Sequence, residues 1–221
     1  MKRLIVFGDT SFAGIVAEYI NSTDIAQVVA FTIDESFLNN RITFEGFPLV
    51  SFQEVENHYH PNDFEIIIAV SASSKVKHLN SIKFAEAKNK GYRLFSFVHP
   101  AAFVAPSAQI GENVILFPHA VVEPRAMIGN GVFVRSGAYV SHETKIGSYS
   151  YLAPRAAFSG KITTGEHCFF GTNCTIRDNV SIGSDVIVGA GATILSDLPD
   201  QTVIKAAECK ILPVDRFKLK L

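Results

Sequence analysis

The chain has 221 residues, 48% of them hydrophobic, which supports one large domain or two small ones with buried cores and excludes a disordered chain. Twenty basic residues against twenty-one acidic ones leave a formal charge of −1, so no net field draws the protein to DNA, RNA or an anionic membrane. The opening M-K-R-L-I-V-F-G-D-T has too short an apolar run before Gly8 for a signal peptide or a membrane span, and a cytoplasmic location is expected.

Residues 2–97 alternate strand and helix patterns. Residues 4–7 form a short apolar strand ending at Gly8, and Gly14 opens a helical pattern through Val16, Ala17 and Ile20. Further strands are expected at 27–33, 64–70 and 93–98, with a helix over about 74–90 closed by Gly91. This alternation predicts a parallel sheet covered on both faces, a Rossmann-like α/β unit over residues 1–97. In such a unit the first strand-to-helix turn and the end of the second strand meet a nucleotide, because free helix N-terminal N–H groups attract phosphate and an acidic side chain accepts from a ribose or base. The turn here is G-D-T-S-F-A-G, giving Gly8, Asp9, Thr10 and Ser11 as candidate nucleotide contacts, with Ser11 where a dinucleotide fingerprint has its middle glycine. Asp34 stands about 20 residues after Gly14, as that fingerprint asks. The third strand runs into S-A-S-S-K-V-K, which offers Ser71 and Lys75.

From Val98 onward the pattern changes to a strict period of six. Val98, Val104, Ile110, Leu116 and each sixth residue through Ile194 are apolar except Thr164, and a small or β-branched residue follows four places later almost every time. One bulky and one small residue per hexad fit a triangular coil with three hexads to the turn, so equivalent positions stack 18 residues apart. Residues 98–221 are therefore expected to form an all-β parallel helix with a cap starting near Leu198-Pro199-Asp200. Of the three cysteines, Cys168 and Cys174 fall in small-residue places and read as packing groups; no C-x-x-C pair occurs, and no metal is expected.

Within the repeat, V-S-H-E-T-K-I-G (140–147) places His142 beside Glu143. A histidine is a natural base near neutral pH, and a carboxylate can hold its ring in one tautomer, although neighbours on an extended segment point apart unless a corner intervenes. Gly160 lies 18 residues after His142, hence directly above it, where a missing side chain leaves room for a reacting thioester. His99, His119 and His167 read as surface or structural groups.

On these features the chain resembles hexapeptide-repeat acyltransferases with a left-handed β-helix, and in particular the sialic acid O-acetyltransferase NeuD / PglD-like nucleotide-sugar N-acyltransferases. The resemblance spans nearly the whole chain and is carried by L-I-V-F-G-D-T-S-F-A-G, by residues 91–111, by the H-E pair with its following I-G and L-A-P-x-A-x-x-x-G, and by residues 182–195. It implies acetyl-CoA as co-substrate, a nucleotide-linked amino sugar as acceptor and a homotrimer with acyl-CoA in the cleft between neighbouring β-helices. It further implies His142 as base and Glu143 as its assistant. Tyr151, Gly160, Gly171, Gly189 and Ala190 are expected along the acetyl-CoA groove, with Lys205 and Lys210 as candidates for its phosphates. Members of the family often carry an asparagine seven residues before the base and a second histidine nine residues after it; this chain has Arg135 and Tyr151 there, and Arg135 is assigned to the nucleotide sugar. The expected activity is N-acetylation of an amino-deoxysugar in surface glycan synthesis. Sugar O-acetylation and a non-catalytic trimeric scaffold are the alternatives.

Overall fold

The computed structural model describes residues 1–70 and 77–207. Ser71, Lys75 and Lys210 lie outside them. The N-terminal unit begins with β1 (Lys2–Phe7), α1 (Ser11–Asn21) and β2 (Ala26–Ile33). A hairpin of β3 (Thr43–Phe44) and β4 (Phe47–Ser51), a short helix α2 (Val55–His58), β5 (Glu65–Ile68) and α3 (Leu79–Asn89) follow. The sheet order is β3-β4-β2-β1-β5, parallel except for β3. Its apolar strands are buried on both faces, as Leu4, Ile5, Val6, Ile66 and Ile67 show at 0% exposure.

Two expectations are corrected in this unit. The hairpin was not foreseen; Glu45 and Gly46 both take positive φ, +49° and +79°, the requirement of a two-residue type I′ connection between Phe44 and Phe47. The fourth strand is not a member of the sheet beyond a single bridge between Ile66 and Leu94, and Phe97–Val98 instead starts the first coil of the β-helix.

That β-helix is left-handed and parallel, with three faces of two-residue strands stacked 18 residues apart. Face I carries Phe97–Val98, Ile115–Leu116, Phe133–Val134, Tyr151–Leu152, Phe169–Phe170, Ile187–Val188 and Val203–Ile204. Face II runs from Phe103–Val104 through Tyr139–Val140 to Thr193–Ile194, and face III from Gln109–Ile110 through Lys145–Ile146 to Ser181–Ile182. The second residue of each strand points into the prism, where the sixth-residue series forms one continuous core. Thr164, the polar exception, is buried there because its hydroxyl oxygen accepts from Gly147 N at 2.9 Å and its proton goes to Gly165 O at 3.2 Å. Cys168 and Cys174 are core groups, and burial pushes the Cys174 thiol up to about 12. The coil does not end at Leu198: Leu198 bridges Ile182, and Val203–Ile204 pairs with Ile187–Val188 at a spacing of 16.

Each edge between faces is turned by one left-handed residue. From Asn113 to Gly191 every sixth residue has φ between +55° and +71°, and most of these are not glycine. Such a backbone costs a non-glycine residue on the order of 1 kcal/mol. The offset is visible: the N–H of these residues donates to the coil below, as in Glu143 to Pro124 O, Lys161 to His142 O and Asp185 to Glu166 O.

The N-terminal unit is packed on face I. Phe12 of α1 lies 5.2 Å from Phe133 and 6.0 Å from Phe117, centroid to centroid, and the outward residues of face I share one core with β1, β2 and α1. Fully buried Asn113, a left-handed corner residue, accepts from Ile68 N at 2.8 Å and donates to Ile68 O at 3.2 Å, continuing the sheet edge of β5 with a side-chain amide. On the same edge His167, read from the sequence as a surface or structural group, is stacked between Tyr149 (5.1 Å) and His78 (3.7 Å), because α3 covers that corner.

The glycines of the repeat separate two causes. A Cβ on Gly147 would overlap Gly165 O, whereas one on Gly191 meets nothing within 4 Å and is opposed only by its φ of +71°. Gly191→Ala is therefore expected to lose about 1 kcal/mol, and Gly147→Ala about 1–3 kcal/mol or more through forced backbone movement, measured by denaturant unfolding.

Candidate active site

His142 sits on the edge between faces II and III, exposed, with its backbone fixed from both sides. Its N–H donates to Glu123 Oε2 at 3.1 Å, and its carbonyl accepts from Lys161 N at 3.0 Å. Gly160 is directly above it, as the 18-residue stacking requires. The space over Gly160 belongs to the imidazole itself: a Cβ there would lie 2.5 Å from His142 Cε1 and 2.6 Å from Nε2. Gly160 is therefore needed for the seat of the ring, not as an open cradle and not for a positive φ. Its own N–H has no acceptor among the described residues.

Glu143 makes no hydrogen bond to His142 among the described residues. Its left-handed φ of +59° carries the side chain along the edge, where Oε1 accepts from Arg125 Nη2 at 2.6 Å and Nε at 3.0 Å, and Lys161 lies 3.8 Å from Oε2. The Arg125 guanidinium holds the Glu143 carboxyl below its usual range. The carboxylate nearest the His142 backbone is instead Glu123, one coil below, which sequence reasoning missed. The same step of 18 residues that finds Gly160 above His142 finds Glu123 below Ser141.

Arg135 and Tyr151, the two departures from the family pattern, are partners. Arg135 Nη1 donates to the Tyr151 hydroxyl at 2.7 Å, and the guanidinium carbon lies 4.5 Å from the Phe117 ring and 5.4 Å from the Phe12 ring. Arg135 Nε is buried without a partner, and no carboxylate pairs with this cation among the described residues. Tyr151 stacks on Phe169 at 5.5 Å and faces α1, so within one chain it stands apart from the edge that carries His142.

In the N-terminal unit, β1 and β5 are neighbours although the chain leaves β1 towards β2 and β4; their carboxyl ends form the topological switch of the sheet. Gly8 lies at this crevice with φ +133°, and a Cβ on it would be 2.9 Å from Ala69 O. Thr10 precedes α1 without a side-chain cap, and the first N–H groups of Ser11 and Phe12 have no acceptor among the described residues. Asp9 is 2.6 Å from Arg41 Nη2, and Asp34 accepts from Lys83 Nζ at 2.6 Å and Gln53 Nε2 at 3.2 Å. Both acids thus have protein partners already. Gly171, Gly189 and Ala190 turn the edge between faces I and II, and Lys205 follows the last strand of face I. A single chain does not bring them to His142.

Comparison with known proteins follows the same lines. The family model for bacterial transferase hexapeptide repeats matches residues 107–142 and 161–196. A search of curated proteins returned no match. Among solved structures, PerB from Caulobacter crescentus in complex with CoA and GDP-perosamine is similar with a TM-score of 0.79 and 25% identity, covering 92% of this chain and 93% of that one. The acetyltransferase domain of PglB from Neisseria gonorrhoeae has a TM-score of 0.77 and 30% identity over 92% of this chain and 96% of its own length. Its complex with acetyl coenzyme A gives 0.77 and 29%, covering 91% and 95%. With such identity held across both the nucleotide-type unit and the β-helix, the chain belongs to the NeuD / PglD-like family of hexapeptide-repeat sugar acyltransferases.

Proposed function

We propose that this protein transfers the acetyl group of acetyl-CoA to an amino group of a nucleotide-linked amino-deoxysugar, with His142 as general base. The observation that carries this reading is the seat of His142: an exposed imidazole over a glycine, on a β-helix edge whose backbone is fixed by Glu123 and Lys161. The named ligands of the similar proteins, CoA with GDP-perosamine and acetyl-CoA, supply the substrate classes.

The amine nitrogen attacks the thioester carbonyl carbon while His142 takes its proton; the C–N bond forms and an oxyanion develops, for which the Gly160 N–H, without an acceptor among the described residues, is the candidate donor. Collapse breaks the C–S bond, and the proton passes from His142 to the leaving sulfur, giving free CoA and the N-acetyl sugar. The nucleotide belongs at the β1/β5 crevice of the 1–97 unit, with its phosphates towards the uncapped start of α1 and the Arg135 cation. Asp9 holds Arg41 through Oδ2, and Asp34 holds Lys83 and Gln53 through Oδ1.

His142 lies on the one edge of the prism that does not border face I, while the N-terminal unit of the same chain covers face I. Phe103, Met127 and Tyr139 flank that far edge on faces II and III with 55%, 40% and 38% exposure. Both facts support a homotrimer in which His142 of one protomer works with Gly171, Gly189, Ala190 and the nucleotide unit of another.

His142→Ala is expected to lower turnover by about 10²–10⁴-fold with the oligomer intact by size-exclusion with light scattering; retained turnover would overturn the base assignment. Screening UDP-, dTDP- and GDP-linked amino sugars with acetyl-CoA, read by thiol release, identifies the acceptor, and activity on hydroxyl acceptors alone would favour O-acetylation. Arg135→Leu is expected to raise KM for the nucleotide sugar about tenfold, on the order of one charge-assisted hydrogen bond, while leaving KM for acetyl-CoA unchanged.

A further inference from the structure

The base needs a counter-charge, and the adjacent Glu143 is spent on Arg125 and Lys161. Glu123 is differently placed. Its Oε2 accepts from Ser141 Oγ at 2.8 Å and from His142 N at 3.1 Å. Two donors from adjacent residues, Ser141 and His142, thus converge on one side chain of the coil below. No cation pairs with Glu123 among the described residues.

We infer that Glu123 is the positioning carboxylate of the site: it fixes the corner that aims the imidazole and supplies the negative charge that balances His142 when it takes the substrate's proton. The Tyr139 and Ser141 hydroxyls hold its carboxyl below the usual carboxylate range, so it is ionised where the reaction runs. The alternative, a plain corner cap, is represented elsewhere in this β-helix: Ser107 Oγ accepts from Arg125 N, Asn130 Oδ1 from Glu112 N and Ser184 Oγ from Glu166 N. Those caps each take one backbone N–H, as do the carboxylates of Asp197 and Asp200, which accept from Ser181 N and Ser184 N. Glu123 takes the Ser141 hydroxyl besides the His142 N–H, on the segment that carries the base.

The charged and titratable groups around His142 are Tyr139 on its own coil, Glu143 beside it, Glu123 and Arg125 below and Lys161 above. Arg125 and Lys161 both lean on Glu143, leaving Glu123 as the uncompensated charge. Removing it makes the protonated imidazole less favourable and withdraws a fixed acceptor from the base's own N–H.

The inference rests on His142 being the base, and the experiment separates the two. Glu123→Gln, Glu143→Gln and His142→Ala are assayed in the full-length protein with acetyl-CoA and an accepted amino sugar. Glu123→Gln keeps the size and one acceptor oxygen; it is expected to lower kcat about 10–100-fold with both KM values within about threefold, and to move the acid limb of the kcat/KM profile to lower pH. Glu143→Gln should leave kcat within about threefold and the profile in place. A dead His142→Ala beside a Glu123→Gln enzyme with unaltered kcat and pH profile overturns the role of Glu123 alone. An active His142→Ala overturns the underlying reading. A Glu123→Gln loss that appears only as a lower melting temperature, with kcat and pH profile of the folded fraction unchanged, assigns Glu123 to the plain corner-cap role and also overturns the inference.

Discussion

A left-handed residue at every sixth position is the constraint on which the β-helix depends. Two-residue strands can close a triangular coil only if each edge turns sharply, and the turn is made by one backbone in a region that L-residues avoid. Stacking makes it tolerable, since from Gly131 to Gly191 each such N–H finds a carbonyl in the coil below. It also aims the corner side chain outward, so one place in the hexad yields three ladders. Between faces III and I, Asn113, Tyr149, His167 and Asp185 meet β5, Phe84 and His78 of the N-terminal unit. Between faces II and III, Arg125, Glu143 and Lys161 pair with one another.

These ladders decide where chemistry is possible. The first is closed by the docked unit: burial, with the neighbouring His78, holds His167 below the usual histidine range, and Asp185 is tied to His78 at 2.7 Å. The second is open, and its ion pairs keep the corner from collapsing onto the histidine beside it. His142 escapes both ladders because it stands one residue before the left-handed position, where its carbonyl is still used by the stack while its ring is free to cover Gly160. The proposed base thus draws rigidity from the repeat without giving its side chain to it.

Much of this was legible in the sequence because the repeat is long. A period of six sustained over about one hundred residues fixes the core, the stacking distance and the position of Gly160 over His142. Thr164 was visible as an exception, and its corner hydrogen bonds were not, since they depend on the backbone of two successive coils at one edge. The left-handed places were half-legible: nine of the fourteen from residue 113 to 191 hold Gly, Asn, Asp or His, which accept such a backbone, but Arg125, Glu143, Tyr149, Arg155 and Lys161 mask the pattern. In the N-terminal unit the hairpin was signalled only by Phe-Glu-Gly-Phe, a cue easily lost in a polar stretch. Adjacency misled at Glu143: two residues joined by a peptide bond were parted by the corner between them, while Glu123, distant in sequence, was brought beside them by one turn of the coil.

Arg135 and Tyr151 show how a departure from a family pattern can be self-consistent. A half-buried guanidinium among phenyl rings has no counter-ion among the described residues, and a single acceptor on one side is a minimum condition for holding it. Tyr151 meets that condition one coil above, using a ring that face I already stacks on Phe169 and a hydroxyl that reaches back to Nη1. A histidine at position 151 would share its nitrogens between tautomers and sit shorter; an asparagine at 135 would not reach the hydroxyl. The two substitutions therefore act as one unit, and what the unit presents to the junction of β-helix and α1 is a cation still short of its charge partner. Under the proposed function, with a nucleotide-linked acceptor, that is the charge the ligand's phosphate itself brings.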